Sequence, residues 1–436
     1  MGHLATKAGY RRLRERLDRM PVGAPGRTTI YEILQILYSP AEAELAAQVP
    51  MRPTSAEALA RRLGRPLEQL RQQLEALADK GLVLDLFLGG KMRYALAPTI
   101  VGLFEFSMMR VREDIDQKKL AGLLHRYLLE ERDFVDSFNR SAETSLFRTL
   151  VHEQSLPADF AEVLDWERAS HLVEHAGRWA VSLCHCRHVA HHRGHDCDRF
   201  RLESCLSLGA GADYVARHGL GRAIEKEQAL ALITETREAG LVHIADNVKH
   251  RPTFLCSCCG CCCEILQGFK RFRWLGDTFT SNYLARPDPA ACTGCRQCLQ
   301  ACPVEAITME ESPHVIDGKR YRLRARVDES ICLGCGVCAL QCQYGSMHMQ
   351  ARPQRRIPPE STFVRVMSMA IEQGKLHHLL AETLPGWSGQ LASALVGAIM
   401  RLPPARQLLA RRELKSRFID YALRNARKRK MQEVDL

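Results

Sequence analysis

The chain has no hydrophobic run long enough to cross a membrane as a helix. Such a span needs about 20 apolar residues in succession, and the longest candidate, Leu391–Met400, is too short. A signal peptide is also missing, because residues 2–20 are charged and include five arginines before any apolar run. These absences predict a soluble, cytoplasmic protein.

A dinucleotide-binding fingerprint is missing as well. Its G-x-G-x-x-G pattern lets a turn at the start of a helix approach a pyrophosphate. The nearest approach, Gly209-Ala210-Gly211, lacks the third glycine, and no strand pattern precedes it. The sequence therefore gives no support for a flavin or nicotinamide site.

Cysteine is absent from residues 1–183, and all eighteen cysteines follow that segment. In a small secreted protein so many cysteines would indicate disulfides. In a chain of 436 residues that is expected in the reducing cytosol, cysteines at C-x2-C spacing indicate metal or redox chemistry instead.

Two cysteine runs share one spacing, C-x2-C-x2-C-x3-C. Three thiolates on one tight loop then face a single iron–sulfur cluster, and the fourth lies one helical turn further along. A chance match at all eight positions is remote, so we predict that all eight cysteines bind clusters. The runs are Cys292, Cys295, Cys298 and Cys302, followed by Pro303, and Cys332, Cys335, Cys338 and Cys342.

Residues 283–352, which contain both runs, resemble a bacterial-type dicluster ferredoxin module. The resemblance implies two [4Fe–4S] clusters that relay single electrons. It also implies an exchange of ligands, in which Cys342 completes the cluster of the first run and Cys302 completes that of the second. One departure from the family pattern is Gln343, which stands where the family usually has proline, as at Pro303.

Ten cysteines lie outside these runs, and six of them fall between residues 256 and 263. Buried thiols pack as small hydrophobic groups, but a packing role would space them at the period of a helix or a strand. The density therefore predicts metal or cluster ligation in the middle of the chain. The candidate ligands are Cys184, Cys186, Cys197, Cys205, Cys256, Cys258 and Cys259.

The type of metal in this middle region stays open. In a chain that already carries two clusters, a third [4Fe–4S] cluster within electron-transfer range is the favoured interpretation. The order of the cysteines also resembles a group of little-characterised iron–sulfur proteins that end in a dicluster ferredoxin. The tripeptide Cys258-Cys259-Gly260 is similar to the cysteine-rich domain of heterodisulfide-reductase-like subunits, which hold noncubane clusters. A zinc ion is the alternative. Its candidate ligands are Cys184, Cys186, His188 and Cys197.

Residues 25–100 show the element order of a winged helix-turn-helix. Three helical patterns are followed by two strand patterns that meet at Gly89-Gly90, a hairpin signal. The segment resembles the winged-helix superfamily through its Leu-x-x-Leu…Lys-Gly-Leu-Val phrase. If the third helix enters a DNA major groove, the contacting residues are Arg65, Gln69, Gln72, Lys91 and Arg93.

A docking or dimerisation platform is the alternative role for this N-terminal unit. Glu68 and Glu75 stand beside Arg71 on the third helix, so its exposed face is mixed in charge. A helix that reads a groove is more consistently positive. The sequence therefore favours docking over DNA contact without excluding DNA.

The fold class expected for the whole chain is α+β and multidomain. We predict a winged helix-turn-helix at 25–100, a helical and cysteine-rich cluster-binding domain at 101–282, the ferredoxin-like dicluster domain at 283–352 and a helical, basic extension at 353–436. Eleven lysines and arginines fall between Arg401 and Lys430. Such a tail would form a solvated helix face or meet nucleic acid, an acidic partner or, peripherally, a membrane.

Electron transfer is the function that these patterns favour. Low-potential electrons would pass through the two clusters, and through at least one further cluster in the middle domain, to or from a redox protein partner. Two alternatives stay open: a redox-responsive DNA-binding regulator, and a reductase subunit with its active centre near Cys256–Cys263. The sequence leaves open whether the chain is itself an oxidoreductase.

Overall fold

The computed structural model describes residues 2–138, 143–156, 164–272 and 279–383, together with residues 415 and 419. Within these ranges the fold is mixed α/β and contains four separate sheets, one of six strands and three of two strands.

The N-terminal unit consists of five helices followed by a hairpin. The helices are α1 (Gly2–Asp18), α2 (Thr28–Leu37), α3 (Pro40–Ala46), α4 (Ala56–Leu63) and α5 (Leu67–Asp79). The hairpin pairs β1 (Val83–Leu88) with β2 (Lys91–Leu96). The predicted turn at Gly89-Gly90 is confirmed, and both glycines have positive φ angles. The assignment of this unit as a winged helix stays a prediction.

Helices and strands alternate between residues 104 and 272. The helices are α6 (Phe104–Met108), α7 (Gln117–His125), α8 (Arg132–Phe138), α9 (Ala169–Glu174), α10 (His185–His192), α11 (Ala210–Arg217), α12 (Lys226–Glu238) and α13 (Glu264–Phe272). The strands are β3 (Phe147–Thr149), β4 (Trp179–Leu183), β5 (Glu203–Leu208), β6 (Arg222–Ile224), β7 (Val242–Asp246) and β8 (Phe254–Cys258). They form one antiparallel sheet in the order β3-β7-β8-β5-β4-β6.

This six-stranded sheet differs from the sequence prediction, which described the middle domain as helical. Its strands are short, and β7 is buried at every position. Short strands that are buried on both faces lack the alternation of polar and apolar residues that marks a half-buried strand. A strand also precedes Gly209, contrary to expectation, and α11 follows it. The third glycine of the dinucleotide fingerprint is still absent.

Residues 283–351 form a smaller unit with two antiparallel strand pairs. Its elements are β9 (Tyr283–Pro287), α14 (Gln297–Ala301), β10 (Ile307–Ile316), β11 (Lys319–Val327), α15 (Val337–Leu340) and β12 (Met347–Ala351). Strand β9 pairs with β12, and β10 pairs with β11 across Asp317-Gly318. The hairpin that the sequence predicted at this turn is confirmed.

Two helices follow this unit, α16 (Thr362–Glu372) and α17 (Leu376–Thr383). Arg365 of α16 forms a buried ion pair with Asp246 at the end of β7, which ties the helix to the sheet. Apart from positions 415 and 419, the apolar segment Leu391–Met400 and the basic segment 401–430 lie outside the described residues. None of the described helices is long and apolar enough to cross a membrane.

A buried charge cluster joins the N-terminal hairpin to the middle domain. Asp85 of β1 accepts a hydrogen bond from Arg217 Nη1 at 2.7 Å, and its Oδ1 lies 2.8 Å from His218 Nε2. His218 Nδ1 lies 2.7 Å from Asp79 Oδ1. The side chains of His218 and Asp85 are only 7% and 5% exposed, so water screens their pair weakly. The cluster fixes the position of the N-terminal unit on the sheet domain.

We expect this cluster to stabilise the protein less as pH rises. Burial would lower the pKa of His218, but hydrogen bonds to Asp85 and Asp79 raise that pKa above its ordinary value. A histidine with a raised pKa stabilises the folded protein fully at pH values below the pKa of the unfolded state, which is about 6.5. This stabilisation is lost as the pH rises through the pKa of the folded state.

Urea unfolding of the parent protein and the variant His218→Gln tests this expectation. The parent should be more stable by about 2 kcal/mol near pH 6, a typical value for hydrogen bonds to charged groups, and the difference should shrink towards pH 9. A difference that is constant between these pH values would show that folding does not raise the pKa of His218.

Candidate metal centres

The eight cysteines of the two runs are gathered into two groups around separate small cavities. Each group takes three thiols from one run and the fourth from the other run, which is the grouping that the ferredoxin resemblance implies. The outer thiol group is Cys292, Cys295, Cys298 and Cys342, and the inner thiol group is Cys302, Cys332, Cys335 and Cys338.

Backbone N–H groups point at the thiols of both groups. The Ala325 N–H donates to Cys292 Sγ at 3.4 Å, and the Ala306 N–H donates to Cys302 Sγ at 3.2 Å. Such donors stabilise the negative sulfur of a bound cluster and raise its reduction potential. Four thiols around a cavity with N–H donors aimed at the sulfurs fit a [4Fe–4S] cluster at each site.

Burial makes several of these thiols weak acids in the metal-free protein. It raises the pKa of Cys335 to about 12 and that of Cys298 to about 11. The thiolate rather than the thiol is the ligand, so binding must displace a proton at each position. At neutral pH, Cys335 and Cys298 therefore lose their protons only when a metal ion binds to them.

The two groups differ in their surroundings. Cys295 of the outer group is exposed, whereas no thiol of the inner group is exposed. The inner loop packs on the middle domain, where the His152 N–H donates to the Cys335 carbonyl oxygen at 3.0 Å. A Cβ at Gly336 would lie 2.2 Å from Ser155 Oγ, so glycine permits this close packing. The inner group thus faces the protein and the outer group faces solvent.

The ten remaining cysteines form two more groups in the middle domain. The six-thiol group is Cys184, Cys186, Cys205, Cys256, Cys258 and Cys263. The four-thiol group is Cys197, Cys259, Cys261 and Cys262.

The six-thiol group is positioned by the sheet and by α10. Cys256 and Cys258 are two residues apart on β8, so their side chains share one face. Strand β5 pairs with β8 in the register Leu206↔Leu255, which places Cys205 opposite Cys256. Cys184 and Cys186 come from the start of α10. Cys263, the residue before α13, completes the group.

The contacts within this group run as a string. The thiol of Cys256 contacts those of Cys205 and Cys258. The thiol of Cys263 contacts those of Cys258 and Cys186, and Cys186 contacts Cys184. Within the described residues, no three of these six thiols all lie within 4.8 Å of one another. An extended set of this kind suits a cluster of several metal atoms better than a single ion.

The four-thiol group is compact by comparison. Cys197 Sγ lies 3.6 Å from Cys259 Sγ and 3.8 Å from Cys261 Sγ. Cys262 Sγ lies 3.6 Å from Cys261 Sγ. All four sulfur atoms lie within 4.8 Å of one another, an arrangement that can hold a metal ion.

Arg187 lies between these two groups and is 1% exposed. Its Nε donates to Cys197 Sγ at 3.4 Å, and its Nη2 donates to the Ser257 carbonyl oxygen at 2.9 Å. Within the described parts of the chain it pairs with no carboxylate. Burial alone would lower the pKa of Arg187, but negative charge on Cys184 and Cys259 holds that pKa above its ordinary value. A buried cation without a carboxylate needs negative charge nearby, which metal-bound thiolates supply.

A cavity of about 2100 Å³ opens beside the six-thiol group. On its wall, His185 Nε2 lies 2.9 Å from Glu264 Oε2. Burial would lower the pKa of His185, but Glu264 raises it to about 9. Burial raises the pKa of Glu105, on the same wall, to about 7. The cavity thus combines thiols with a protonated imidazole and a carboxyl group that exchanges its proton near neutral pH.

The structure divides the seven ligands proposed from the sequence between the two groups. Cys197 and Cys259 belong to the four-thiol group, and the other five belong to the six-thiol group. His188 of the proposed zinc set is engaged elsewhere, with its Nδ1 2.7 Å from the Met108 carbonyl oxygen. The candidate ligands named from the sequence did not include three cysteines that belong to these groups, although the high density of cysteine after residue 255 indicated them. They are Cys261, Cys262 and Cys263.

Comparison with known proteins identifies one segment of the chain. No curated protein and no solved structure matches the chain. Residues 291–346, which carry the outer and inner thiol groups, match the protein family described as the 4Fe-4S dicluster domain. This segment is therefore similar to dicluster domains, and the match implies that it binds [4Fe–4S] clusters.

Proposed function

We propose that the protein transfers single electrons between an external redox partner and the six-thiol group, by way of the dicluster domain. Bound to the outer, inner and six-thiol groups, [4Fe–4S] clusters would supply the one-electron carriers. The observation that carries the proposal is the orientation of the dicluster domain. Its exposed Cys295 faces solvent, and its inner thiol loop packs on the middle domain.

Close backbone contact between the cysteine-rich loop and the inner group supports this path. A Cβ at Gly260 would lie 2.6 Å from the Pro303 carbonyl oxygen. Pro303 directly follows the inner ligand Cys302, and Gly260 lies two residues after Cys258 of the six-thiol group. With no side chain at Gly260, the backbone of the cysteine-rich loop packs directly on the backbone that follows the inner ligand Cys302.

A basic hairpin beside the outer group indicates the charge of the partner. The Ala325 N–H of β11 bonds to Cys292 Sγ, so this strand borders the outer group. Four exposed cations project from β11, and among the described residues none of them pairs with a carboxylate. They are Lys319, Arg320, Arg322 and Arg326. A cationic strand of this kind attracts an acidic surface and accelerates its association. The external partner that we propose is therefore an acidic redox protein.

Charge reversal on this hairpin should slow electron entry from such a partner. We expect the variant Arg322→Glu/Arg326→Glu to be reduced roughly tenfold more slowly than the parent by an acidic reduced ferredoxin at low ionic strength. The difference should disappear at high salt, because salt screens exposed charges. Stopped-flow absorbance of the iron–sulfur chromophore measures both rates.

The matched control for this experiment is Arg11→Glu/Arg132→Glu. Both control arginines are exposed, at 71% and 80%, and they lie on α1 and α8. The control changes the net charge of the protein by the same amount. If both double variants slow reduction equally, net charge alone steers the partner and the hairpin is not its docking site.

Catalysis of a reduction is a second candidate function. The large cavity beside the six-thiol group favours it, because a protein that only relays electrons needs no room for a substrate. His185 and Glu105 on the cavity wall would deliver protons to a reduced substrate. This candidate predicts that an added substrate alters the EPR signal of the six-thiol site, whereas pure relay predicts no change.

For the N-terminal unit we propose a docking role in place of DNA recognition. The pairs of Asp85 with Arg217 and His218 fasten its hairpin to the middle domain. On α5, Arg71 is neutralised by Glu57 and Glu68, at 3.2 Å from each. This leaves a mixed surface, which suits a protein partner better than a phosphate backbone. A redox-responsive regulator remains the alternative, and it predicts DNA binding that falls steeply with salt.

A further inference from the structure

We propose that Cys197, Cys259, Cys261 and Cys262 bind one zinc ion in a tetrahedral, four-thiolate site that is separate from the iron–sulfur clusters. Two of the four thiols are buried, and the other two are partly exposed. The proposal depends on the geometry of these four sulfur atoms and on the chemistry of thiolate ligands. It does not depend on the proposed electron path.

The separations of the sulfur atoms distinguish a single ion from a cluster. Zinc–sulfur bonds of about 2.3 Å at tetrahedral angles place neighbouring sulfurs about 3.8 Å apart. The contacts of Cys197 with Cys259 and Cys261 are 3.6 and 3.8 Å, and that of Cys261 with Cys262 is 3.6 Å. These values fit one central ion.

The dicluster domain provides an internal comparison for this argument. Thiolates on different iron atoms of a cubane lie further apart than thiolates on one ion, because the metal atoms stand between them. Among the described residues, no three thiols of the outer or inner group all lie within 4.8 Å of one another, in contrast to the four-thiol group. Among the described residues, closely spaced sulfur atoms therefore occur only in the four-thiol group, and the thiols of the outer and inner groups are more widely spaced.

The local chain path explains how adjacent cysteines serve different sites. Strand β8 ends at Cys258, and residues 260–262 form a turn before α13 begins at Glu264. Gly260 packs against Pro303 at this turn. The turn directs Cys259 and Cys261 towards Cys197, while Cys258 and Cys263 on either side belong to the six-thiol group. A metal in the four-thiol site would therefore fasten the loop that supplies two ligands to the neighbouring cluster.

Charge fits a divalent metal ion, and affinity favours zinc over ferrous iron. Four thiolates around a divalent ion leave two negative charges, and the buried guanidinium of Arg187 beside Cys197 offsets part of them. Tetrahedral sulfur ligands accept zinc or iron, but at equal availability a thiolate site binds zinc more tightly than ferrous iron. A site closed by four protein ligands is also typical of structural zinc.

Metal analysis and zinc X-ray absorption on the anaerobically purified full chain test this proposal. We expect about one zinc per chain, surrounded by four sulfur atoms at about 2.3 Å. Zinc below a tenth of that amount, or zinc bound mainly by nitrogen and oxygen, would overturn the proposal. Because the absorption measurement uses the unmodified protein, the outcome does not depend on the folding of a variant.

A pair of variants separates this site from the cluster beside it. Cys261→Ser should lower the zinc retained after dialysis against a chelator by about tenfold or more, with iron unchanged. Cys205→Ser, in the six-thiol group, should lower iron and leave zinc unchanged. If Cys261→Ser lowers iron and the parent contains no zinc, the four-thiol site holds iron and the proposal is wrong. If the six-thiol group holds no cluster, Cys205→Ser will leave the iron content unchanged, and the proposed electron path will be wrong. The zinc content does not depend on that outcome.

Discussion

Replacing Cys295 with alanine is expected to abolish fast reduction of the protein by an external donor. Cys295 is the exposed thiol of the outer group, and loss of this ligand should remove about four iron atoms per chain. The inner group is then harder for the donor to reach, because three of its four thiols are buried and none is exposed. Stopped-flow reduction and iron analysis of the same sample measure the two effects.

The matched variant is Cys335→Ala in the inner group. It should also lose about four iron atoms, but the donor should still reduce the outer group at the parent rate. Electrons should then fail to reach the middle domain, and rapid-freeze EPR would show only the outer signal. If Cys295→Ala is reduced as fast as the parent protein, electrons do not enter at the outer group and the proposed path is wrong.

Replacing Cys258 with alanine should remove the cluster of the middle domain alone. Cys258 contacts both Cys256 and Cys263, so it lies at the centre of the string of six thiols. We expect iron to fall from about twelve to about eight atoms per chain, since the two groups of the dicluster domain stay intact. The EPR signals of the dicluster domain should persist in this variant.

Cys261→Ser is the control for Cys258→Ala, because it changes a thiol of the same loop that belongs to the four-thiol group. It should leave iron at about twelve atoms per chain. Equal iron loss in both variants would mean that the loop binds one shared metal centre. Unchanged iron in Cys258→Ala would mean that the six thiols hold no iron.

The ligands of the dicluster domain were open to prediction because their positions are encoded locally. Three cysteines within seven residues reach one site whatever the rest of the fold does, as with Cys292, Cys295 and Cys298. The same reason made the hairpin turns at Gly89-Gly90 and Asp317-Gly318 predictable. One local signal was overlooked: Ser39 and Glu42 form the capping box that starts α3.

The metal groups of the middle domain were not predictable in the same way. Cys205 meets Cys256 because β5 and β8 pair in one register, and neither strand shows the alternation that would reveal that register. Cys197 joins Cys259 across 62 positions of sequence. Composition alone indicates that such cysteines bind metal, but only the fold separates them into a compact set of four and an extended set of six.

The central claim, that the chain carries a redox centre in the middle domain in addition to the dicluster clusters, is tested most directly by metal and sulfide analysis of the anaerobically purified full chain. The account predicts about twelve iron and about twelve sulfide ions per chain, which corresponds to three [4Fe–4S] clusters. It also predicts about one zinc ion, in the four-thiol site. About eight iron and eight sulfide ions per chain would contradict the claim, because the dicluster domain alone accounts for them.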